Sequence, residues 1–348
     1  MKIICVGDAY ITCEMMKMGI EPYLTDRDVA EYYFFGELDR VDMRDTVKAI
    51  EAMKRDSIKI PEQLYSSIAD CDLLIVHLCP VTKALLANAG QLKAILLCRG
   101  GTENVDLEAA TEKGIIVSNN PAHNANAVAE YTIGMILCET RNIARADASL
   151  KSGTWREHFP NTETTIRELK DMTVGIVGFG AVGRLVAEKL SVFGCEIYIY
   201  DPFISESAYD FINFTFVDKK SLLNKSDIIT IHARSNKAII AEEEFAEMKK
   251  HPYLINTARS VLVDSLALKK ALDDDILLGA AIDVFETEPQ IPDFYRHYDN
   301  LTITNHRGGD TINSYKDAPA FAIENYRRFL DGGRLRFWVN KDSLQGTK

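Results

Sequence analysis

The sequence has no Cys-x-x-Cys pair, no long apolar run and no cluster of basic residues. Its seven cysteines, at positions 5, 13, 71, 79, 98, 138 and 195, are odd in number, which argues against a disulfide framework and against a zinc ribbon. The longest uncharged window, 114–129, contains Ser118, Pro121, His123 and four Asn, so it is no lipid-facing helix. The apolar run at 3–7 is too short for a signal peptide and reads as a first buried strand. Positive charge is in deficit: Lys plus Arg is 40 against 51 for Asp plus Glu, a formal net charge of −11. Such a chain is a poor general binder of nucleic acid or anionic membrane. The expectation is a cytoplasmic protein with no metal, no nucleic-acid partner and no membrane partner.

What is present is an ordinary globular composition, 47% hydrophobic and 26% charged, over 348 residues. At roughly 150 residues per domain, that length suggests two domains. Short apolar runs at 3–7, 73–77, 94–98 and 115–118 alternate with helical-period stretches such as 45–54 and 106–113. A second series holds strands at 174–177, 196–200, 228–231, 253–256, 280–283 and 301–304, with a helix over 181–193. Near-continuous apolar strands separated by helices predict an α/β fold of two doubly wound parallel sheets. Between the two series, the apolar spacing over 125–151 predicts one long helix of about 39 Å, placed to bridge domains or form a dimer contact. A last helix over 314–330 is too short for a domain of its own. It is expected to return to the first unit, giving a discontinuous domain 1–122 plus 311–348 and a second domain 123–310.

Gly178-Phe179-Gly180-Ala181-Val182-Gly183 is a G-x-G-x-x-G run directly after a strand and opening a helix. In that context it reads as a dinucleotide fingerprint: a tight turn, a close backbone approach to a pyrophosphate, and a helix packed on its strand. Asp201 lies 18 residues beyond Gly183, at the end of the next strand, where a carboxylate accepts from ribose hydroxyls. It would repel a 2′-phosphate, and Pro202-Phe203-Ile204 offers no cation to receive one. The cofactor expected is NAD rather than NADP.

Ligands of doubly wound sheets bind outside the carboxyl ends of the strands. Arg259, Glu288 and His306 each follow a strand of the second series. Singly, they read equally as an ion-pair residue, a solvated carboxylate and a helix-cap histidine. Together they supply what hydride transfer to a 2-oxo acid needs. A guanidinium can clamp a carboxylate, an imidazole can deliver a proton, and a carboxylate can orient and charge that imidazole.

At this point the sequence resembles the D-isomer-specific 2-hydroxyacid dehydrogenases, the superfamily of D-3-phosphoglycerate dehydrogenase and the glyoxylate/hydroxypyruvate reductases. The resemblance covers almost the whole chain. It is carried by the stretch Val177 to Arg184, by Ile255-Asn256-Thr257-Ala258-Arg259-Ser260, by the stretch Gly279 to Pro289, and by Thr304-Asn305-His306-Arg307-Gly308-Gly309. It implies a flavodoxin-like substrate domain made of both chain ends, a Rossmann NAD-binding domain, and a cleft between them. It implies Arg259 on the substrate carboxylate and 2-oxo group, His306 as acid/base and Glu288 as its partner. Ala181 and Val182 would lie along the pyrophosphate, with Asp201 on the adenosine ribose. Thr257, Ala258, His306, Gly308 and Gly309 would line the cofactor site, Asp283 would meet the nicotinamide carboxamide, and His232-Ala233-Arg234 would sit where the family covers the adenine side. Gly100-Gly101-Thr102 would hold the substrate carboxylate through backbone N–H groups, with His77 a further candidate substrate contact or a satisfied core histidine. A homodimer through the helix starting near Ala125 is implied as well.

Several positions depart from the family pattern. Asn305 replaces the usual Pro, Arg307 an apolar residue and Ser260 a Gly, and Ala233-Arg234-Ser235-Asn236 replaces an apolar-Pro-Leu-Thr stretch. Arg307 or Arg234 would either meet a second anionic group on the substrate or point to solvent or to a nearby carboxylate. The segment 76–80 has no Arg or Lys, which tells against a phosphorylated substrate, and no regulatory domain is expected after Asn340. Arg99 either supplies charge to the loop that follows or pairs with Glu103, and Cys79 and Cys98 read as small buried hydrophobes. The intact Arg259, Glu288 and His306 set favours an enzyme over a non-catalytic, NAD(H)-sensing corepressor-like protein, which stays the alternative. Glu288 speaks against a formate dehydrogenase, which has Gln there. The identity of the acid stays open.

Overall fold

The computed structural model describes residues 1–159, 166–204 and 214–345. The chain divides into two compact units, Met1–Asn124 with Asp310–Lys348, and Ala125–Gly309. Each is built on a parallel sheet flanked by helices, the α/β architecture that the alternating pattern predicts. No described helix is long and apolar enough to cross a membrane.

The first unit holds β1 (Lys2–Gly7), β2 (Val29–Phe34), β3 (Leu73–Val76), β4 (Ala94–Leu97) and β5 (Ile116–Ser118) in the order β2-β1-β3-β4-β5. All neighbours are parallel, and β3 and β4 are buried along their whole length. Strands covered on both faces must be apolar throughout, which is why Leu73-Leu74-Ile75-Val76 was legible as a strand. The edge strand β2 was not, because its Glu31, Tyr32 and Tyr33 are half-buried and break the apolar run. The long helix Ile312–Leu330 belongs to this unit. Its Ala318, Ala322, Ile323 and Tyr326 pack with Ile3, Cys5, Met16 and Ile20. Short helices here start on side-chain caps, Thr12, Thr82 and Asp106 each accepting a backbone N–H of the first turn.

The second unit holds β6 (Thr173–Val177), β7 (Glu196–Tyr200), β8 (Phe214–Phe216), β9 (Ile228–Ile231), β10 (Tyr253–Asn256), β11 (Gly279–Ile282) and β12 (Leu301–Ile303). Their order is β12-β11-β10-β9-β6-β7-β8, again all parallel. The order reverses between β6 and β9, so the switch point of this sheet lies at their carboxyl ends.

The single long helix expected over 125–151 is not formed. Two helices, Ala125–Thr140 and Ile143–Lys151, are separated by Asn142 in the left-handed region at φ 54°. Asn tolerates that conformation because its short polar side chain can bond locally. Arg145 fixes the break by donating to the Asn142 side chain at 2.9 Å and to the buried Glu139 carboxylate. The large apolar residues beyond the break, Ile143 and Leu150, are exposed, so the apolar spacing there traces no buried face and does not reveal it.

Candidate active site

The glycine run sits at the second unit's switch point. Gly178 follows β6 with φ 94°, and a Cβ there would lie 2.6 Å from the backbone nitrogen of Ala233, after β9. Only glycine accepts both the left-handed turn and that close approach. A Cβ on Gly183 would lie 2.1 Å from the carbonyl oxygen of Gly178, so the third glycine lets the helix press on its own strand turn. Gly180 differs. A Cβ there would meet nothing within 4 Å, so the space beside the N-terminus of helix Ala181–Ser191 is open. Unbonded first-turn N–H groups and the helix dipole make that space suited to a phosphate.

Asp201, just after β7, is tied to the same loop. Its Oδ2 accepts the Phe179 N–H at 2.8 Å and its Oδ1 accepts the Phe203 N–H at 2.9 Å. A carboxylate has about four acceptor sites, so it retains capacity for two hydroxyl donors. The geometry fits a dinucleotide: a glycine turn, an open helix N-terminus and a carboxylate with acceptor capacity to spare in one place.

Strands β10, β11 and β12 are adjacent and parallel, so Arg259, Glu288 and His306 all emerge at one edge of the sheet. Nδ1 of His306 lies 2.8 Å from Oε2 of Glu288, while Oε1 of Glu288 accepts the Phe285 N–H at 2.9 Å. An ionised carboxylate only accepts, so Nδ1 carries the proton and Nε2 points away from the pair. His306 is held at φ 56°, a left-handed backbone that a non-glycine residue seldom adopts, and its side chain is 48% exposed. Arg259 is exposed, and its Nη1 donates to the Ala258 carbonyl at 2.7 Å. It makes no ion pair among the described residues and no hydrogen bond to His306 or Glu288. The buried Asn256 side chain fixes its backbone, donating to the Arg259 carbonyl at 2.9 Å and accepting from the Ala258 N–H at 3.1 Å. Asn256 lies inside a quoted motif, yet its function was missed because only its fold-back geometry shows it.

Other expected cofactor contacts have different neighbours. Asp283 has no exposed surface. Its carboxylate accepts the Thr304 hydroxyl at 2.7 Å, the Arg307 N–H at 2.9 Å and the Gly308 N–H at 2.8 Å. It therefore clamps the loop carrying His306, and Gly308 is buried against it, with Gly309 half-buried beyond. Thr257 is buried and shares a 2.8 Å hydrogen bond with Thr132. Ala258 is half-buried and packs on the core beside β9 and β10. The His232 ring bonds the Thr230 hydroxyl at 2.9 Å, its Nδ1 is enclosed without a partner, and burial pushes its pKa down to about 3.

The first unit presents its own polar edge. The backbone N–H groups of Gly100, Gly101 and Thr102, after β4, have no acceptor among the described residues. Their loop is held by Asn119, which donates to the Gly100 carbonyl at 2.6 Å. Arg99 pairs with Glu103 at 3.3 Å through Nη2, while its Nη1 is buried without a partner. His77, after β3, is buried and bonds Asp8 at 2.9 Å through Nδ1. Asp8 was missed by sequence reasoning, since the two lie 69 positions apart. The only available signal was a carboxylate ending a buried strand. Cys79 and Cys98 are buried, and burial raises both thiols.

Residues 133–308 match the family model described as D-isomer specific 2-hydroxyacid dehydrogenase, NAD binding domain. The chain is 36% identical over 293 residues to a D-3-phosphoglycerate dehydrogenase of Methanocaldococcus jannaschii, covering 82% of this chain and 55% of that protein. It is 37% identical over 293 residues to a glyoxylate reductase of Thermofilum pendens, covering 82% of this chain and 86% of that one. It thus spans little more than half the length of the first relative and most of the second. In fold it is similar to a D-isomer specific 2-hydroxyacid dehydrogenase of Lactobacillus delbrueckii ssp. bulgaricus solved in an NAD complexed form, with a TM-score of 0.77, 22% identity, and coverage of 98% of this chain and 100% of that one. The chain therefore belongs to the D-isomer specific 2-hydroxyacid dehydrogenase family and carries that family's NAD-binding domain.

Proposed function

We propose that this chain is an NAD-dependent dehydrogenase or reductase acting at C2 of a small D-2-hydroxy or 2-oxo acid. The observation that carries this reading is the His306–Glu288 hydrogen bond at the edge of a sheet whose switch point holds the glycine cradle. When bound, NAD(H) supplies or accepts the hydride at C2. Gly178, Gly180, Ala181, Val182 and Gly183 would hold its phosphates against backbone N–H groups, and Asp201 would accept from its ribose. Asp201 disfavours a 2′-phosphate by like-charge repulsion.

His306 moves the proton. With Nδ1–H donated to Glu288, Nε2 is the atom that gives a proton to the carbonyl oxygen in reduction, or takes it from the hydroxyl in oxidation. Glu288 fixes the tautomer and the ring orientation and stabilises the imidazolium when it forms. Arg259 binds the substrate carboxylate and polarises the 2-oxo group with its guanidinium. Asp283 keeps His306 in place by holding the following two N–H groups. In the first unit, Gly100, Gly101 and Thr102 offer three N–H groups to the substrate carboxylate. A homodimer through the helix Ala125–Thr140 completes the reading, and sedimentation at micromolar concentration checks it.

The activity test is NADH oxidation, followed by absorbance, against glyoxylate, hydroxypyruvate, phosphohydroxypyruvate, 2-oxoglutarate and bulkier 2-oxo acids. Turnover of at least one, lost in Arg259→Ala, is the expected result. No turnover of any acid contradicts the reading.

A further inference from the structure

The first unit has a switch point of its own. Its sheet order β2-β1-β3-β4-β5 reverses between β1 and β3, which places a ligand crevice at the carboxyl ends of those two strands. The residues directly after them are Asp8 and His77. Asp8 has no exposed surface, and its carboxylate is filled: Oδ1 accepts the Tyr10 and Ile11 N–H groups at 2.8 and 3.0 Å, and Oδ2 accepts the Leu78 N–H at 3.1 Å and Nδ1 of His77 at 2.9 Å. Burial opposes its ionisation, but the interaction with His77 and these hydrogen bonds outweigh that and hold the carboxyl below its usual range. An ionised Asp8 can only accept, so Nδ1 of His77 is a donor and the tautomer is fixed.

Nε2 is then the one polar atom of the pair left to bond. It has no partner among the described residues and is not enclosed, although the side chain keeps only 9% of its surface exposed. Asn104, fully buried, fastens the backbone around it by donating to the carbonyls of His77 and Cys79 at 3.2 and 3.1 Å. Tyr10 packs edge-on against the imidazole with ring centres 6.1 Å apart. A histidine held this firmly, with one nitrogen directed at a small opening, is arranged to recognise a single small polar group.

Resting on the dehydrogenase reading above, we propose that His77 is a specificity-determining residue. The first unit then takes a 2-oxo acid with a hydroxyl on C3, its carboxylate on the Gly100–Thr102 N–H groups and its hydroxyl on Nε2 of His77. The two subsites lie on adjacent parallel strands, β4 and β3. A hydroxyl both donates and accepts, so it pairs with Nε2 whether the imidazole is neutral or charged, whereas an anionic substituent pairs only with the charged ring. The cation count agrees. Arg40, the cation over the Tyr10 ring, already pairs with Asp310 at 3.2 Å, and Arg99, directly before the Gly100 loop, pairs with Glu103 at 3.3 Å. Burial lowers the nearby His123 to a pKa of about 4, which leaves that ring uncharged at neutral pH.

The test compares kcat/KM for 3-hydroxy-2-oxopropanoate, its isostere 2-oxobutanoate and the dianionic 2-oxobutanedioate, with NADH as donor. The wild type should favour the hydroxy acid over the isostere by about 10- to 100-fold, the scale of one hydrogen bond to an enclosed partner. His77→Leu should bring that ratio near one, and His77→Asn, which keeps a donor and an acceptor, should retain part of it. NADH binding by fluorescence and a cooperative melt establish that each variant is folded. A wild-type ratio near one overturns the proposal, whatever the variants do. So does an unchanged ratio in His77→Leu, or a wild-type preference for the dianion. No turnover of any acid by the wild type removes the dehydrogenase reading itself, and this inference with it.

Discussion

The carboxylate of Asp201 accepts the backbone N–H of Phe179 at 2.8 Å, so the residue proposed to read the ribose is fastened to the middle of the glycine loop. Cofactor choice and loop shape are thereby coupled. Asp201→Ser removes both the ribose acceptor and the repulsion of a 2′-phosphate. It should weaken NADH binding about 10- to 100-fold and narrow the gap to NADPH, read by fluorescence titration with both nucleotides. Equal loss for both nucleotides would show that Asp201 acts only on the loop.

The glycines separate packing from binding. Gly183→Ala places a Cβ 2.1 Å from the Gly178 carbonyl oxygen and should lower stability by about 1–3 kcal/mol along with NADH affinity. Gly180→Ala meets nothing within 4 Å in the protein. It should melt close to the wild type while losing NADH affinity at least as severely, because the methyl enters space assigned to the pyrophosphate. Paired melting curves and titrations check this. A Gly180→Ala variant that binds NADH normally would remove the cradle from the account.

Glu288 bonds both the Phe285 N–H and His306, which suits the proposed role of setting the ring. Glu288→Gln should lower kcat about 10- to 100-fold with little change in KM. A raised KM at unchanged kcat would instead assign Glu288 to binding.

Asp28 makes a prediction about acid stability. Burial would raise its carboxyl, but the Met1 ammonium, Thr25 and Arg327 outweigh that and hold it well below the usual range. A depressed carboxylate contributes stability above its unfolded pKa of about 3.9, and the contribution is lost as pH falls through the folded value. Asp28→Asn should therefore be less stable than the wild type by roughly 1–3 kcal/mol at neutral pH, with the gap closing below about pH 4. Urea midpoints at neutral pH and in acid measure it. A gap that persists unchanged in acid would contradict the assignment.

The parts of the fold that were legible are those in which chemistry forces the residue type. Strands buried on both faces, such as β3 and β4, must be apolar, and Gly178 and Gly183 of the fingerprint answer to backbone clashes. Edge strands escape that rule, and β2 and β8, one at the edge of each sheet, went unread. The break at Asn142 was hidden because the large apolar residues beyond it, Ile143 and Leu150, are exposed and mark no buried face. In the site, motif order located His306 and Glu288, but order along a chain says nothing of where a side chain points. Asp283, expected at the nicotinamide, is enclosed and bonded to the His306 loop, contacts that only the fold shows. The Asp8–His77 pair was invisible for a related reason: nothing local joins two residues brought together only by the pairing of β1 with β3.

The most direct test of the central claim is NADH-dependent reduction of the 2-oxo acid panel by the wild type and by His306→Asn, with NADH affinity measured on both. The account predicts turnover in the wild type, a loss of about 100-fold or more in the variant, and similar NADH affinity in the two. Equal turnover in the variant would show that His306 does not move the proton. Tight NADH binding by a wild type that turns over no acid would show a chain that senses the nucleotide without reacting it.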